Sequence, residues 1–159
     1  MPDAPRPCDT HFDLIRFKYP LTHLMEALKR QRKVKIVAIG SSSTAGEGNI
    51  VPFCNRLEAL LRNQAPFHGT MLDVLNRGVG GQEAMDELSR FEPDVIGEAP
   101  AMVIWQVGTN AVFRLGQYSF DDVAAAMAKG LEWVKNLPMD VVLMDLQYTT
   151  AIVGPDKLP

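Results

Sequence analysis

The sequence predicts an α/β sandwich built on a mostly parallel sheet. Four apolar segments of strand length alternate along the chain with amphipathic segments of helical period, which is typical of a parallel sheet covered by helices. Three of the predicted strands end in a loop that contains glycine, and such loops meet at the carboxyl edge of a parallel sheet, where ligands bind. The chain of 159 residues is long enough for one compact domain with its own core.

The domain begins with an amphipathic helix and contains four strands. We assign residues 1–19 to a proline-rich N-terminal arm and residues 20–159 to the domain. The helix is predicted because apolar side chains recur at i, i+3, i+4 and i+7, at Leu21, Leu24, Met25 and Leu28. The apolar runs predict strands at residues 33–39, 71–75, 101–107 and 141–146.

Three further helices are predicted between these strands. The first covers about residues 51–63, where Pro52 suits the first turn and one face is apolar, at Phe53, Leu57, Leu60 and Leu61. The second covers about residues 82–91 and is stopped by Pro93. The third begins at Ser119, which forms a potential capping box with Asp122 and precedes an inward apolar face of Phe120, Val123, Met127, Leu131 and Val134.

Composition excludes several classes of function. Apolar residues make up 47% of the chain, and 16 basic residues against 19 acidic ones give a net charge of −3. The sequence has no basic patch with interleaved aromatic residues, so we predict no nucleic-acid partner. It has no apolar run long enough to span a bilayer, and its first residues lack the apolar core of a signal peptide, so we expect a cytoplasmic protein.

Metal and cofactor chemistry is not predicted either. Cys8 and Cys54 are the only cysteines, and their separation fits neither a metal motif nor a disulfide framework. The acidic and histidine residues show no metal-ligand spacing. The chain also lacks the G-K-[ST] ending of a phosphate-binding loop and any G-x-G-x-x-G dinucleotide fingerprint, so we predict no cofactor.

The three glycine-containing loops together offer the parts needed for attack on an ester carbonyl. That reaction requires a nucleophile and hydrogen-bond donors for the developing oxyanion. Ser42, just beyond the first strand, supplies a hydroxyl and a backbone N–H. Gly81, after the second strand, supplies an unobstructed N–H, and Asn110, after the third, supplies a side-chain amide. These three residues are the predicted catalytic set.

Each of these residues also has a simpler structural interpretation. Ser42 could belong to a serine-rich turn that caps a helix, because serine is favoured there. Gly81 could be a turn glycine with positive φ, and Asn110 could be a helix cap or an Asx-turn residue. Asn76 is interpreted as a residue that orders its loop. The G-x-S-x-G nucleophile elbow is excluded because Thr44 stands where its second glycine would be.

Taken in order, the three loops resemble the conserved blocks of the SGNH (GDSL-type) hydrolase family. The first block, G-D-S-x-T-x-G, is similar to Gly40–Gly46 and places the nucleophile at Ser42. The second, an asparagine followed five residues later by the oxyanion glycine, matches Asn76 and Gly81. The third, G-x-N-D, is similar to Gly108–Ala111. The resemblance covers about residues 33–147.

The resemblance implies a fold, an activity and a substrate class. The fold is a three-layer α/β/α sandwich with a flavodoxin-like sheet. The activity is hydrolysis of acyl or acetyl esters, such as those of lipids or carbohydrates, with an oxyanion hole from Ser42, Gly81 and Asn110. Two departures are mild, since Ser41 replaces the usual acidic residue and Ala111 replaces the usual aspartate, and neither position carries the attacking atom.

A third departure concerns the general base. The family's last block, D-x-x-H, does not occur in this chain. Its histidines are His11 in the arm, His23 on the first helix, and His68 in the loop entering the second strand, at the opposite edge of the sheet. We therefore expect a domain that is incomplete at its C-terminus and a weak or inactive esterase, or alternatively a non-catalytic remnant or binding module. An uncovered sheet edge is expected to favour self-association.

Overall fold

The computed structural model describes residues 16–114, 116–144 and 146, so most of the predicted N-terminal arm, including His11, lies outside the described residues. The helices and strands in chain order are α1 (Thr22–Arg30), β1 (Lys33–Gly40), α2 (Ser42–Ala45), α3 (Phe53–Arg62), a 3₁₀ turn (Ala65–Phe67), β2 (Met71–Gly78), α4 (Ala84–Ser89), a π-helical turn (Glu92–Ile96), β3 (Met102–Gln106), α5 (Thr109–Phe113), α6 (Phe120–Val134) and β4 (Asp140–Met144).

The four strands form one parallel sheet in the order β2-β1-β3-β4. This is the order of a flavodoxin-like, doubly wound sheet, and the predicted α/β sandwich is confirmed. β1 pairs with strands on both sides, which explains why its residues from Ile36 to Gly40 are all buried. β4 is the outermost strand on one side of the described sheet. Self-association through this side stays a prediction.

Side chains of β1 alternate between two separate cores, one on each face of the sheet. Val37 and Ile39 pack with residues of α4, the π-helical turn and α6. Ile36 and Ala38 pack on the other face with residues of α1 and α3. Because alternate side chains of β1 point to opposite faces of the sheet, helices pack on both faces and the domain has three layers, α/β/α. No helix among the described residues is long and apolar enough to cross a membrane.

Several element boundaries differ from the sequence-based prediction. β2 was predicted to end at Leu75, but it continues to Gly78 because its last residues still pair with Ala38–Gly40. Pro93 does not stop the helical segment, since it lies in the first turn of the π-helical turn, where a missing N–H costs nothing. The short helix α5 was not predicted.

The predicted apolar faces are correct in part. Leu24 is buried as predicted, and so are Val123 and Val134. Leu60 was assigned to the apolar face of its helix and Phe120 was predicted to face inward, but they are 64% and 58% exposed. The capping box at the start of α6 is also wrong: Ser119 is the N-cap residue, yet its side chain makes no capping hydrogen bond.

Candidate active site

The loops that carry the predicted catalytic residues follow strand ends on one edge of the sheet. β1, β2 and β3 are parallel, and their register pairs Gly40 with Gly78 and Ile39 with Trp105. All three strands therefore end at the same level, and the N–H of Val79 donates to the carbonyl of Gly40 at 3.0 Å. Ser42, Gly81 and Asn110 each follow one of these ends.

Ser42 is the first residue of α2, a single helical turn at the end of β1. The N-cap is Ser41, whose side chain makes no capping hydrogen bond, so the serine run is not a helix-capping device. Ser42 is half-buried. Within the described part of the chain, neither its hydroxyl nor its backbone N–H has a hydrogen-bond partner. Both groups are available to a ligand at the carboxyl edge.

Two glycines allow α2 to lie directly on the strand ends. A Cβ atom at Gly40 would stand 2.3 Å from Oγ1 of Thr44, and one at Gly78 would stand 2.1 Å from the backbone N of Ala45. Real Cβ atoms do not approach other atoms so closely, so a larger residue at Gly40 would displace the Thr44 side chain, and one at Gly78 would displace the backbone of α2. The glycines thus fix the height of Ser42 above the sheet.

Polar contacts tie the same helical turn to β2. The side-chain amide of Asn76 donates to the carbonyl of Ala45 at 3.2 Å. Its Oδ1 accepts from the N–H of Gly78 at 2.9 Å. Asn76 therefore orders its loop and the end of α2, as interpreted from the sequence.

Gly81 lies in the turn after β2 with a φ of 78°, a conformation that favours glycine. Its carbonyl accepts a hydrogen bond from Nη1 of Arg114 at 3.2 Å. Its N–H has no hydrogen-bond partner among residues 16–114, 116–144 and 146. The turn interpretation and the donor interpretation are therefore compatible at this position.

Asn110 is the second residue of α5, and its side chain reaches the loop after β2. Its Nδ2 donates to the carbonyl of Gln82 at 2.7 Å. Gln82 directly follows Gly81, so this bond links two of the predicted donor loops. A primary amide has two hydrogens, and among the described residues the second one has no acceptor.

Two buried or nearly buried charged residues that brace these loops were missed from the sequence. The carboxyl group of Glu83 accepts from the N–H groups of Gly108 and Ala111 at 2.9 and 2.5 Å. The sequence did contain a pattern that could have identified Glu83, because Glu83 and Asp86 have the spacing of a capping box. The pair departs from the usual S/T-x-x-E form of that motif.

The other missed residue is Arg90, which had no recognisable motif. Its Nε donates to Oε1 of Gln82 at 2.6 Å, and its Nη1 donates to Oδ2 of Asp94 at 2.6 Å. Its Nη2 donates to the carbonyl of Gly40 at 3.2 Å. The guanidinium group therefore joins the end of β1 to the loop after β2, directly beneath the serine loop.

Glu87 is a second buried glutamate on α4. Its Oε2 accepts a hydrogen bond from Nε1 of Trp105 at 2.7 Å, and both side chains are almost fully buried. Burial raises the pKa of Glu87 to about 7, and the neighbouring Glu83 adds to the increase, whereas the Trp105 bond and Arg90 oppose it. This carboxyl group therefore titrates near neutral pH.

The described histidines lie far from Ser42. His68 is exposed in the loop that enters β2, and His23 is exposed on α1, with its backbone N–H 3.3 Å from Oδ1 of Asp140 at the start of β4. Both lie at the amino edge of the parallel sheet, opposite the candidate site. A pocket of about 430 Å³ also opens at this amino edge, away from the candidate site.

A flavodoxin-like sheet with a serine loop, a glycine turn and an asparagine at its carboxyl edge resembles the arrangement of the SGNH/GDSL-like hydrolases. The chain belongs to the Non-GDSL lipase-like family, which it matches over residues 7–153. No curated protein sequence matches it.

Solved structures of related fold include esterases and a lipolytic protein. A lipolytic protein of the G-D-S-L family from Desulfitobacterium hafniense DCB-2 is 27% identical, with a TM-score of 0.55 over 69% of this chain and 58% of the other. A variant of the acetylxylan esterase Axe2 from Geobacillus stearothermophilus is 25% identical, with a TM-score of 0.61 over 70% and 58% of the two chains. The chain thus spans less than two thirds of the length of these structures.

Proposed function

We propose that this chain carries the nucleophile and oxyanion hole of an SGNH-type serine ester hydrolase that acts on acyl esters, acetyl esters among them. One observation carries the proposal: the hydroxyl and N–H of Ser42 lie at the same sheet edge as the N–H of Gly81, and none of these groups has a hydrogen-bond partner among the described residues. Membership in the Non-GDSL lipase-like family and likeness to an acetylxylan esterase support the same reaction class.

The reaction would proceed through an acyl-enzyme. Oγ of Ser42 forms a bond to the carbonyl carbon while the carbonyl electron pair moves to oxygen. The resulting oxyanion accepts hydrogen bonds from the N–H groups of Ser42 and Gly81 and from the amide of Asn110, and each donor contributes about 10²–10³ in rate in comparable sites. Collapse of this intermediate breaks the ester C–O bond, the departing alkoxide takes the proton that a base removed from Ser42, and water then hydrolyses the acylated serine.

Removal of the Ser42 proton requires a base that neither described histidine supplies. His23 and His68 are at the opposite sheet edge, and in the acetylxylan esterase the catalytic mutants replace a serine, an aspartate or a histidine. In subtilisin, loss of the base costs about 10⁶ in turnover, whereas the oxyanion hole and binding retain about 10³–10⁴ over water. We therefore propose that this 159-residue form is a weak esterase.

Hydrolysis of p-nitrophenyl acetate, with and without added imidazole as an external base, tests the proposal. Ser42→Ala is compared with Ser43→Ala, a matched change one residue along the same helical turn. We expect a small rate that imidazole increases in the wild type and in Ser43→Ala but not in Ser42→Ala, beyond imidazole's own reaction.

Two results would contradict this proposal in different ways. Equal rates for Ser42→Ala and the wild type under both conditions would reject the nucleophile and favour the non-catalytic binding module. An ordinary enzymatic rate without imidazole that Ser42→Ala abolishes would support Ser42 as the nucleophile. It would also show that the protein already contains a general base, contrary to the proposal.

A further inference from the structure

Glu83 is a buried carboxylate whose two oxygens are both used by backbone N–H groups. Its side chain is 1% exposed. Oε1 accepts from Ala84 at 3.0 Å and from Gly108 at 2.9 Å, and Oε2 accepts from Ala111 at 2.5 Å. Hydrogen bonds to a carboxylate are about twice as strong as neutral ones, and these are shielded from water. Glu83 is therefore a strong structural clamp.

The clamp acts on the N-termini of two helices at once. Glu83 is the N-cap residue of α4, and its own N–H donates to Oδ2 of Asp86 at 3.0 Å. α5 begins after Gly108, which has no side chain with which to cap its helix. A capping side chain normally accepts from the second or third helical N–H, and in α5 the third residue is Ala111. Glu83 supplies that acceptor from 28 residues away.

The two N–H groups that Glu83 holds across the loop lie on either side of Asn110. The amide of Asn110 is in turn bonded to the carbonyl of Gln82, the residue before Glu83. The backbone and the side chain of Asn110 are thus both fixed by the Gln82–Glu83 dipeptide. Because Gln82 directly follows Gly81, the same dipeptide sets the spacing between the two donors of the proposed oxyanion hole.

We infer that Glu83 is a positioning residue that fixes the spacing between Asn110 and Gly81, the two donors that would bind the same oxyanion. This role rests on the proposed function, although the clamp itself can be tested without it. A misplacement of about 1 Å in a catalytic group costs on the order of 10² in rate. Replacing the carboxylate with a neutral amide puts an N–H₂ donor where only backbone donors are present, so at least one of the cross-loop bonds is lost.

The test compares Glu83→Gln with Glu87→Gln in the imidazole-supplemented assay. Glu87 is a matched control, because it is a buried glutamate on the helix that Glu83 caps, and among the described residues its carboxyl accepts a hydrogen bond from the indole of Trp105 alone. We expect Glu83→Gln to lower the Ser42-dependent kcat about 100-fold with KM within about twofold. Glu87→Gln is expected to keep both within about twofold. Equal kcat values for Glu83→Gln and the wild type would overturn the inference.

Amide hydrogen exchange supplies the readout that does not depend on activity. In the wild type, the N–H groups of Gly108 and Ala111 should exchange as slowly as those of β3, and in Glu83→Gln they should exchange at least tenfold faster. Fast exchange in the wild type would overturn the clamp even if Glu83→Gln fails to fold. If the wild type shows no Ser42-dependent hydrolysis while these amides are protected, the proposed function fails and the clamp stands.

Discussion

The hydroxyl of Thr44 donates a 2.8 Å hydrogen bond to Oε1 of Gln106, and both side chains are buried. Thr44 lies in the serine loop after β1, and Gln106 is the last residue of β3. The bond therefore joins two of the three strand ends beneath Ser42. Because both groups are out of water, either one left without its partner would destabilise the fold.

Thr44→Val is expected to reduce the free energy of unfolding by about 1–3 kcal/mol, because it removes the donor and leaves the amide oxygen of Gln106 buried without a partner. Thr44→Ser keeps the hydroxyl and should cost less. Denaturant unfolding monitored by tryptophan fluorescence measures both. Equal stability of the two variants would show that the hydrogen bond contributes nothing beyond packing.

Gly78→Ala is expected to lower the free energy of unfolding by about 3 kcal/mol, the upper part of the range for overpacked sites. The added methyl group would meet backbone atoms of Ala45, at 2.1 Å from N and 2.6 Å from Cα, and backbone cannot turn aside. Gly97→Ala is the control, because its φ is −62° and the nearest atom to its Cβ is 3.3 Å away. Similar losses in the two variants would contradict the close approach of α2 to β2.

Glu87 is expected to make stability fall as pH rises from about 4.5 to about 7. The pKa of Glu87 is raised in the folded state, so between these two pH values the folded protein binds more protons than the unfolded chain. The free energy of unfolding therefore falls with rising pH, until the carboxyl of Glu87 is ionised in both states. A shift of this size corresponds to about 3 kcal/mol. Unfolding measured across this range should show a steep slope in the wild type.

Glu87→Gln should flatten that slope and be more stable than the wild type at pH 8, because the amide oxygen can still accept from Trp105 and carries no charge. Glu26→Gln is the control, since Glu26 is exposed on α1 and should leave the slope unchanged. A wild-type slope that persists in Glu87→Gln would assign the pH dependence to another group.

Asn110→Ala is expected to lower the Ser42-dependent hydrolysis of p-nitrophenyl acetate by about 10²–10³, the usual loss for one oxyanion donor. The loss should appear in kcat, because the donor acts on charge that develops only in the transition state. Asn63→Ala serves for comparison, since that exposed amide at the end of α3 donates, among the described residues, to the carbonyl of Ala59 alone. An unchanged kcat in Asn110→Ala would remove Asn110 from the oxyanion hole.

Local patterns in the sequence were sufficient for the fold class and for the grouping of the loops. The run Val34–Ile39 could be assigned to a buried strand because five of its six residues are apolar. Gly40–Gly46 could be placed at the carboxyl edge because chain order and parallel pairing leave no other end for it. The same reasoning was wrong at Leu75 and Pro93, where pairing with β1 and a π-helical turn extend the segments.

Sequence patterns were enough to predict a parallel α/β sheet and to place Ser42, Gly81 and Asn110 after neighbouring strand ends. The bonds that hold those loops in place became visible only in the folded molecule. Glu83 bonds residues 25 and 28 positions away, and Arg90 bonds the carbonyl of Gly40 50 positions away. Hydrophobic periodicity reports only on neighbours within one element. Bonds between elements depend on how the helices dock against the sheet, so these two residues became recognisable only once α4 was packed beside the strand ends.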